Sequence, residues 1–252
     1  MAEDKLAAKK SKADQRPIRT ISVFGLPESS AREQLAGFYQ RFARLRLGFR
    51  TKFPDVRINL YADQSDPNTL KDSVEDAVRW VRHRLGSHAF ADSAQSMEQV
   101  VGILLREKNA TLAVAESCTG GLIANLLTDV PGSSDYFLFS AVTYANEAKM
   151  KILNVKAETL QRHGAVSEQT AGEMARGAKH IVDATYGLAT SGIAGPDGGT
   201  EEKPVGTVCI GLATPSSVTG HRFKFIRSSR KRNKRIFAAA ALDMLRKELL
   251  SP

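Results

Sequence analysis

Cysteine is scarce in this chain. Cys118 and Cys209 are the only two in 252 residues, too few for a disulfide framework and too far apart for a CxxC metal pattern. That scarcity fits a reducing compartment, and a cytoplasmic location is expected. The opening residues contain no apolar signal segment, and every apolar run breaks well short of the ~20 residues that cross a bilayer, so no membrane association is expected. The five histidines (His83, His88, His163, His180 and His221) fall at no metal-ligand spacing, and neither a metal nor a cofactor is expected. No GxxxxGK[ST] loop occurs, which removes support for nucleoside triphosphate hydrolysis, and no GxSxG elbow occurs either.

What is present is ordinary for a folded protein, with 42% hydrophobic and 25% charged residues, so function belongs in a folded site. The net charge of +9 raises the question of nucleic acid, because Lys and Arg neutralise phosphates. Residues 1–109 hold 19 basic against 14 acidic side chains and the remainder 17 against 13, so neither half is a basic module.

Residues 1–16 lack a sustained apolar face and read as a disordered, solvated basic tail. After it, RTISVFGL predicts a strand and PESSAREQLAGFYQRF a helix capped by Ser29 or Ser30, carrying Leu35, Phe38 and Phe42. Alternation on both sides of Phe53-Pro54-Asp55 predicts paired strands, and residues 69–85 place Leu70, Val74, Ala77, Val78, Val81 and Leu85 at helical spacing. A small α+β domain over 17–92 follows, with FADSAQS as its hinge. From Ser96 helices and strands alternate: a helix in SMEQVVGILLREKN, a buried strand TLAVAES, a helix from Thr119, a strand through YFLFSAVTY, helices over 146–154 and 168–183, a strand ending at TSG, β-rich segments 204–213 and 218–226, and a helix from Ser229. The expected fold for 96–252 is a three-layer α/β/α sandwich with a mixed, mostly parallel sheet.

Three polar clusters follow strand ends. In Ala115-Glu116-Ser117-Cys118-Thr119-Gly120-Gly121 a strand passes into a helix, where backbone N–H groups suit an oxyanion or a phosphate. Ser117 is either a nucleophile on that turn or a helix cap, and Cys118 competes as a thiol nucleophile. In Val142-Thr143-Tyr144-Ala145-Asn146-Glu147-Ala148-Lys149, Lys149 is either a desolvated amine able to deprotonate Ser117 or a surface helix lysine, and Tyr144 could face the same pocket. The glycine-rich stretch from Thr190 to Thr207 is either an anion-wrapping loop or a long turn. The basic run from Arg227 to Arg235 either attracts a substrate phosphate or is solvated.

Together AESCTGG, VTYANEAK, HGAVS and TSGIAGPDGGT with KPVGTV, in this order, resemble the C-terminal domain of the CinA family over residues 96–250. The resemblance implies a nicotinamide-nucleotide amidase that hydrolyses nicotinamide mononucleotide to nicotinate mononucleotide and ammonia without a metal. It places the nucleophile on Ser117, the catalytic lysine on Lys149 and the active-site tyrosine on Tyr144. The oxyanion is expected at Thr119, Gly120 and Gly121, and the small-molecule nucleotide at Glu116, Gly192, Ala194, Gly195, Gly199, Thr200, Lys203 and Thr207. The alternative is a non-catalytic nucleotide-binding module associated with competence or DNA damage. Residues 18–92 resemble the family's KH-type domain but hold no GxxG, the loop that clamps a nucleic-acid backbone, so no nucleic acid is expected. The family's large N-terminal pyrophosphatase domain is not expected here, and a homo-oligomer is compatible with the sequence.

Overall fold

The computed structural model describes residues 17–62, 71–226 and 228–251. The opening segment 1–16, Leu70 and Arg227 lie outside the described residues. The chain divides between Ser96 and Met97 into two compact units.

In the first unit, strands β1 (Arg19–Val23), β2 (Leu45–Lys52), β3 (Asp55–Ala62) and β4 (Ala89–Ala91) form a sheet in the order β2-β3-β1-β4. All its pairings are antiparallel. Phe90 and Ala91, expected in a hinge, instead lie in β4, where Ala91 pairs with Ser22 of β1. Alternation in β3 buries Val56, Ile58 and Leu60 against helix α3 (Lys71–Leu85), whose Val74, Ala77, Val78, Val81 and Leu85 form its inner stripe. The segment expected as one helix is two, α1 (Glu28–Gln34) and α2 (Phe38–Arg41), because Gly37 between them takes φ +91°. The first of these starts on Pro27, with no side-chain cap from Ser29 or Ser30.

The second unit is a three-layer α/β/α sandwich. Strands β5 (Leu112–Glu116), β6 (Phe137–Val142), β7 (Tyr186–Gly192), β8 (Thr207–Ala213) and β9 (Val218–Lys224) lie in the order β6-β5-β7-β8-β9. β5 runs parallel to β6 and β7, whereas β8 is antiparallel to β7 and β9. The C-terminal ends of β5, β6 and β7 and the start of β8 therefore share one edge, where loops following strands gather.

The two sheet faces differ in kind. On one, Ala113, Ala115, Gly187, Ala189, Gly211, Ala213 and Gly220 are all small, and helix α8 (Glu168–Ile181) lies directly on the backbone. A β-carbon at Gly187 would stand 2.0 Å from the Ala175 carbonyl oxygen, one at Gly211 1.9 Å from that of Ala171, and one at Gly220 2.1 Å from that of Glu168. On the other, Leu112, Val114, Leu188, Ile210 and Leu212 are buried in the layer of helix α9 (Arg230–Leu250), which in turn buries Phe237, Ala238, Ala241, Leu242 and Leu245.

Helices α4 (Met97–Glu107), α5 (Leu122–Thr128) and α6 (Asn146–Leu153) match expected elements, though α5 begins three residues later than expected because Gly120 and Gly121 take φ +60° and +87°, outside the helical region. Helix α7 (Ala157–His163) was not anticipated. It buries none of its residues, so it leaves no apolar stripe to read. Among the described residues no helix is long and apolar enough to cross a membrane.

Candidate active site

The buried, largely apolar β5 ends by delivering Glu116 and Ser117 to the shared edge, and both neighbouring strands hold the delivery in place. The Ser117 N–H donates to the Thr190 carbonyl at 2.9 Å, and the Thr143 N–H donates to the Glu116 carbonyl at 2.9 Å, continuing the ladder one step beyond the strand. The Glu116 carboxylate is fully buried and accepts the N–H groups of Ile123 at 3.1 Å and Ala124 at 2.9 Å, the first turn of α5. Glu116 was expected to bind substrate. Its position makes it the clamp between strand and helix, because a fully buried carboxylate with each oxygen on a helix amide is turned into the fold and away from the surface a ligand would reach.

Across the strand-to-helix turn no carbonyl among the described residues takes the N–H groups of Cys118, Thr119, Gly120 or Gly121. Gly120 is exposed and Gly121 half-buried, so these two can meet a ligand. Thr119 is fully buried and its hydroxyl pairs with that of Thr190 at 2.7 Å, fixing the turn from inside.

Lys149 is the decisive side chain. Although it is a lysine on α6, only 1% of it is exposed. Its Nζ stands 3.2 Å from Ser117 Oγ, 2.8 Å from the Thr143 carbonyl and 3.0 Å from the Tyr144 carbonyl. Three acceptors suit an ammonium, but a neutral amine fits equally: its two N–H groups satisfy the carbonyls and its lone pair faces the Ser117 hydroxyl. None of these partners is a carboxylate, and burial drives the Lys149 pKa down from the ordinary lysine value. An amine and a serine, 32 positions apart, thus meet in geometry suited to proton transfer. Ser117 is 9% exposed, so the residue is nearly but not wholly closed off from the surface. Cys118 drops out as the rival nucleophile, since it is buried and burial pushes its thiol up to about 12.

Tyr144 is 61% exposed and contributes at two points. Its carbonyl pins Lys149, and its phenol oxygen accepts from Arg230 Nη2 at 2.9 Å. Arg230 also donates from Nη1 to the Gly195 carbonyl at 2.7 Å. One turn on, the buried Asn233 donates from Nδ2 to the carbonyls of Ala194 at 3.0 Å and Ser228 at 3.1 Å, and its Oδ1 has no donor among the described residues. Lys234 comes so close to Gly120 that a β-carbon there would lie 3.2 Å from Nζ. Arg230 and Lys234 belong to the basic run read as either attracting a substrate phosphate or solvated, and both come to the site; Asn233, a neutral residue inside that run, was not anticipated.

The glycine-rich loop is mostly occupied with holding itself. The Thr200 hydroxyl accepts from the Lys203 N–H at 3.0 Å, and Lys203 Nζ donates to the His163 carbonyl at 3.1 Å. Thr207 is fully buried at the start of β8. A β-carbon at Gly192 would meet the Thr207 carbonyl at 2.6 Å, one at Gly195 the Val205 side chain at 2.6 Å, and one at Gly199 the Val205 amide at 2.7 Å. These residues were expected to grip the nucleotide, but internal chain contacts already account for the three glycines and for both Thr200 and Lys203. Ala194 and Gly195 reach the site through their carbonyls, which seat Asn233 and Arg230.

A cavity of about 820 Å³ lies at the other end of the sheet, between Leu153, Lys179, His180, Ala213, Thr214 and Val218. It contains neither Ser117 nor Lys149, so cavity size does not locate the chemistry here.

Residues 94–249 match the family model described as the CinA C-terminal domain, and residues 18–91 the one described as the damage-inducible protein CinA KH domain. A CinA-like protein of Desulfosudis oleivorans is 53% identical over 92% of this chain and 56% of its own length. One of Geobacter metallireducens is 43% identical over 92% and 56%. The chain spans about half the length of these curated relatives. Among solved structures, a competence/damage inducible protein from Agrobacterium tumefaciens matches with TM-score 0.59 and 38% identity, covering 62% of this chain and 94% of that one. A competence-damaged protein (CinA) superfamily protein from Escherichia coli matches at 0.57 and 30%, covering 64% and 97%.

Proposed function

The chain belongs to the CinA family, and on that premise we propose that its second unit is a serine amidohydrolase converting nicotinamide mononucleotide and water to nicotinate mononucleotide and ammonia. The observation that carries this reading is the buried Lys149 amine 3.2 Å from Ser117 Oγ, held by two carbonyls and no acid. Lys149 takes the Ser117 proton as Oγ bonds to the carboxamide carbon. The resulting oxyanion is met by the N–H groups of Gly120 and Gly121, an effect worth about 3 kcal/mol per well-placed donor. The tetrahedral centre then breaks its C–N bond, Lys149 returns the proton to the leaving nitrogen, and ammonia departs. Water attacks the acyl ester as Lys149 takes its proton, the ester C–O bond breaks, and Lys149 passes that proton to the departing Ser117 Oγ, leaving the carboxylic acid product to ionise in solvent.

The nucleotide phosphate falls to Lys234, beside Gly120, and to Arg230, seated on the Gly195 carbonyl and the Tyr144 phenol. Tyr144 holds Arg230 in place through its phenol.

Ammonia release from nicotinamide mononucleotide by the full chain, Ser117→Ala and Lys149→Ala tests the reading. The expected result is loss of about 10⁴-fold or more in both variants with unchanged circular dichroism. Activity retained in folded Ser117→Ala would end the mechanism, and nucleotide binding without ammonia release by the unmodified chain would favour a non-catalytic binding module. Arg230→Ala is expected to raise KM at least 10-fold, whereas Thr200→Ala and Lys203→Ala leave it unchanged.

A further inference from the structure

The chemistry at Ser117 leaves the sheet edge beside it unused. β6 is one of the two outer strands of the second unit's sheet, and the Thr143 N–H, which donates to the Glu116 carbonyl, fixes how its backbone is turned. Peptide groups alternate along a strand, so those of Ala141 and Thr143 face β5, whereas those of Ser140 and Val142 face away from the sheet. Among the described residues no backbone group takes the outward N–H or C=O of Ser140 or Val142.

The composition of this edge is as unusual as its position. From Tyr136 to Asn146 the chain reads YFLFSAVTYAN, without an acid or a base. Edge strands are ordinarily kept from pairing by charge, and the opposite edge conforms, since β9 carries Arg222 and Lys224. β6 instead shows Leu138 46% and Val142 51% exposed, with the exposed Tyr144 just past its end. The strand is not open along its whole length. Leu112 pairs with Phe137 and Ala113 with Phe139, so Leu138 is an extra residue and the regular edge begins only after it.

A short uncharged edge of this kind accepts one extended strand, and a second copy of the same strand fits by symmetry. With a two-fold axis at Ala141, Ser140 of each copy exchanges backbone hydrogen bonds with Val142 of the other. The small Ala141 side chains then meet at a non-hydrogen-bonded position, where Cα atoms approach to ~4.5 Å. The same operation sets Leu138 against the copy's Tyr144, so the exposed apolar side chains cover one another. An axis at Ser140 would instead set Val142 against the bulge at Leu138, where the regular pattern is broken.

We propose that the chain forms a two-fold dimer by antiparallel pairing of β6 about Ala141, in which each copy's Leu138 packs on the other's Tyr144. Tyr144 gives its carbonyl to Lys149 and its phenol to Arg230, and a β-carbon at Gly121 would lie 3.7 Å from Val142 Cγ2. The paired edge therefore borders the site, and the copy supplies part of its wall. The effect on turnover rests on the amidohydrolase reading, whereas the pairing does not.

Sedimentation velocity of the full chain across a hundredfold range of concentration tests the pairing without any activity. The expected result is a reversible dimer whose dissociation constant rises about 10-fold or more in Val142→Lys and in Leu138→Lys. Lys224→Glu, on the opposite edge, is expected to leave it unchanged. Both lysine substitutions replace exposed side chains, so unchanged circular dichroism separates lost pairing from lost fold. Mild oxidation reads the register, because a disulfide needs Cα atoms within about 4.4–6.8 Å. Ala141→Cys is expected to run as a linked dimer on a non-reducing gel and Ser140→Cys as a monomer, the native Cys118 and Cys209 being buried. For the site, KM for nicotinamide mononucleotide is expected to rise several-fold when the unmodified chain is diluted below its dissociation constant, and equally in Leu138→Lys. A monomer at every concentration, a dimer indifferent to both lysine variants, or linkage at Ser140 rather than Ala141 would each overturn the proposal. KM constant across dissociation would overturn the contact with Tyr144. A dimer with the expected register but no ammonia release would leave the pairing standing and end the amidohydrolase reading alone.

Discussion

Replacing Glu116 with glutamine tests the strand-to-helix clamp most directly. The carboxylate is fully buried and accepts two amides, at 3.1 Å from Ile123 and 2.9 Å from Ala124. Glutamine keeps one acceptor oxygen but turns an NH₂ towards the other amide, so one charge-assisted hydrogen bond, about 1.5–3 kcal/mol, is lost. The negative charge near the start of α5 goes with it, about 0.3–1 kcal/mol more. Relief from burying a charge offsets part of this, and the net expectation is a loss of about 2–3 kcal/mol. For a chain of this size that lowers Tm by roughly 5–10 °C. Thermal denaturation followed by circular dichroism reads the stability, and ammonia-release kinetics read the site. Because Ser117 is the next residue, kcat is expected to fall, whereas KM stays put because the carboxylate reaches no ligand. Unchanged Tm with a tenfold rise in KM would refute the reasoning and return Glu116 to the substrate.

Four further outcomes follow from the geometry described above. Burial lowers the pKa of Lys149, so kcat/KM is expected to rise with pH through that lowered value, and Lys149→Arg to abolish the rise along with activity. Between the lowered value and the ordinary lysine range near ~10.4, the unfolded chain holds the extra proton, so stability rises with pH there, and Lys149→Met is expected to flatten urea-unfolding midpoints measured across that window. Cys118→Ala is expected to retain ammonia release, and the thiol, pushed up to about 12 by burial, to resist iodoacetamide at pH 8 in the folded protein. Gly187→Ala drives a β-carbon to 2.0 Å from the Ala175 carbonyl and is expected to cost about 3 kcal/mol, read as a lower urea midpoint.

Much of the second unit was legible along the chain, for physical reasons that particular elements make plain. TLAVAES is short and nearly all apolar, the signature of a strand covered on both faces, and β5 is that strand. The start of α9 near Ser229 was likewise visible, though not that Ser229 caps it, its hydroxyl accepting from the Arg232 N–H at 3.4 Å. Other features carry no local trace. The first-unit helix splits at Gly37 because the backbone turns there, and a single glycine in an amphipathic run does not announce a left-handed residue. In the site, Ser117 and Lys149 came from family resemblance, since composition and spacing alone left a helix cap and a surface lysine open. Glu116 sat among the expected ligands because a carboxylate beside a nucleophile looks available. Its true partners are amides one turn later in its own chain, and that depends on how Gly120 and Gly121 bend. The loop at 192–207 misled for the complementary reason: glycines demanded by crowding from Val205 and Thr207 look the same as glycines demanded by a ligand.

The Ala and Gly face beneath α8 has a consequence for how such a site can change. With helix backbone seated on strand backbone across β7, β8 and β9, that wall has no side chains left to trade, and any enlargement displaces fourteen helical residues together. New selectivity has to be cut into the opposite wall, where Arg230, Asn233 and Lys234 project from an opening turn whose side chains can be exchanged singly. Descendants of this architecture should therefore differ in what they grip while keeping the same floor.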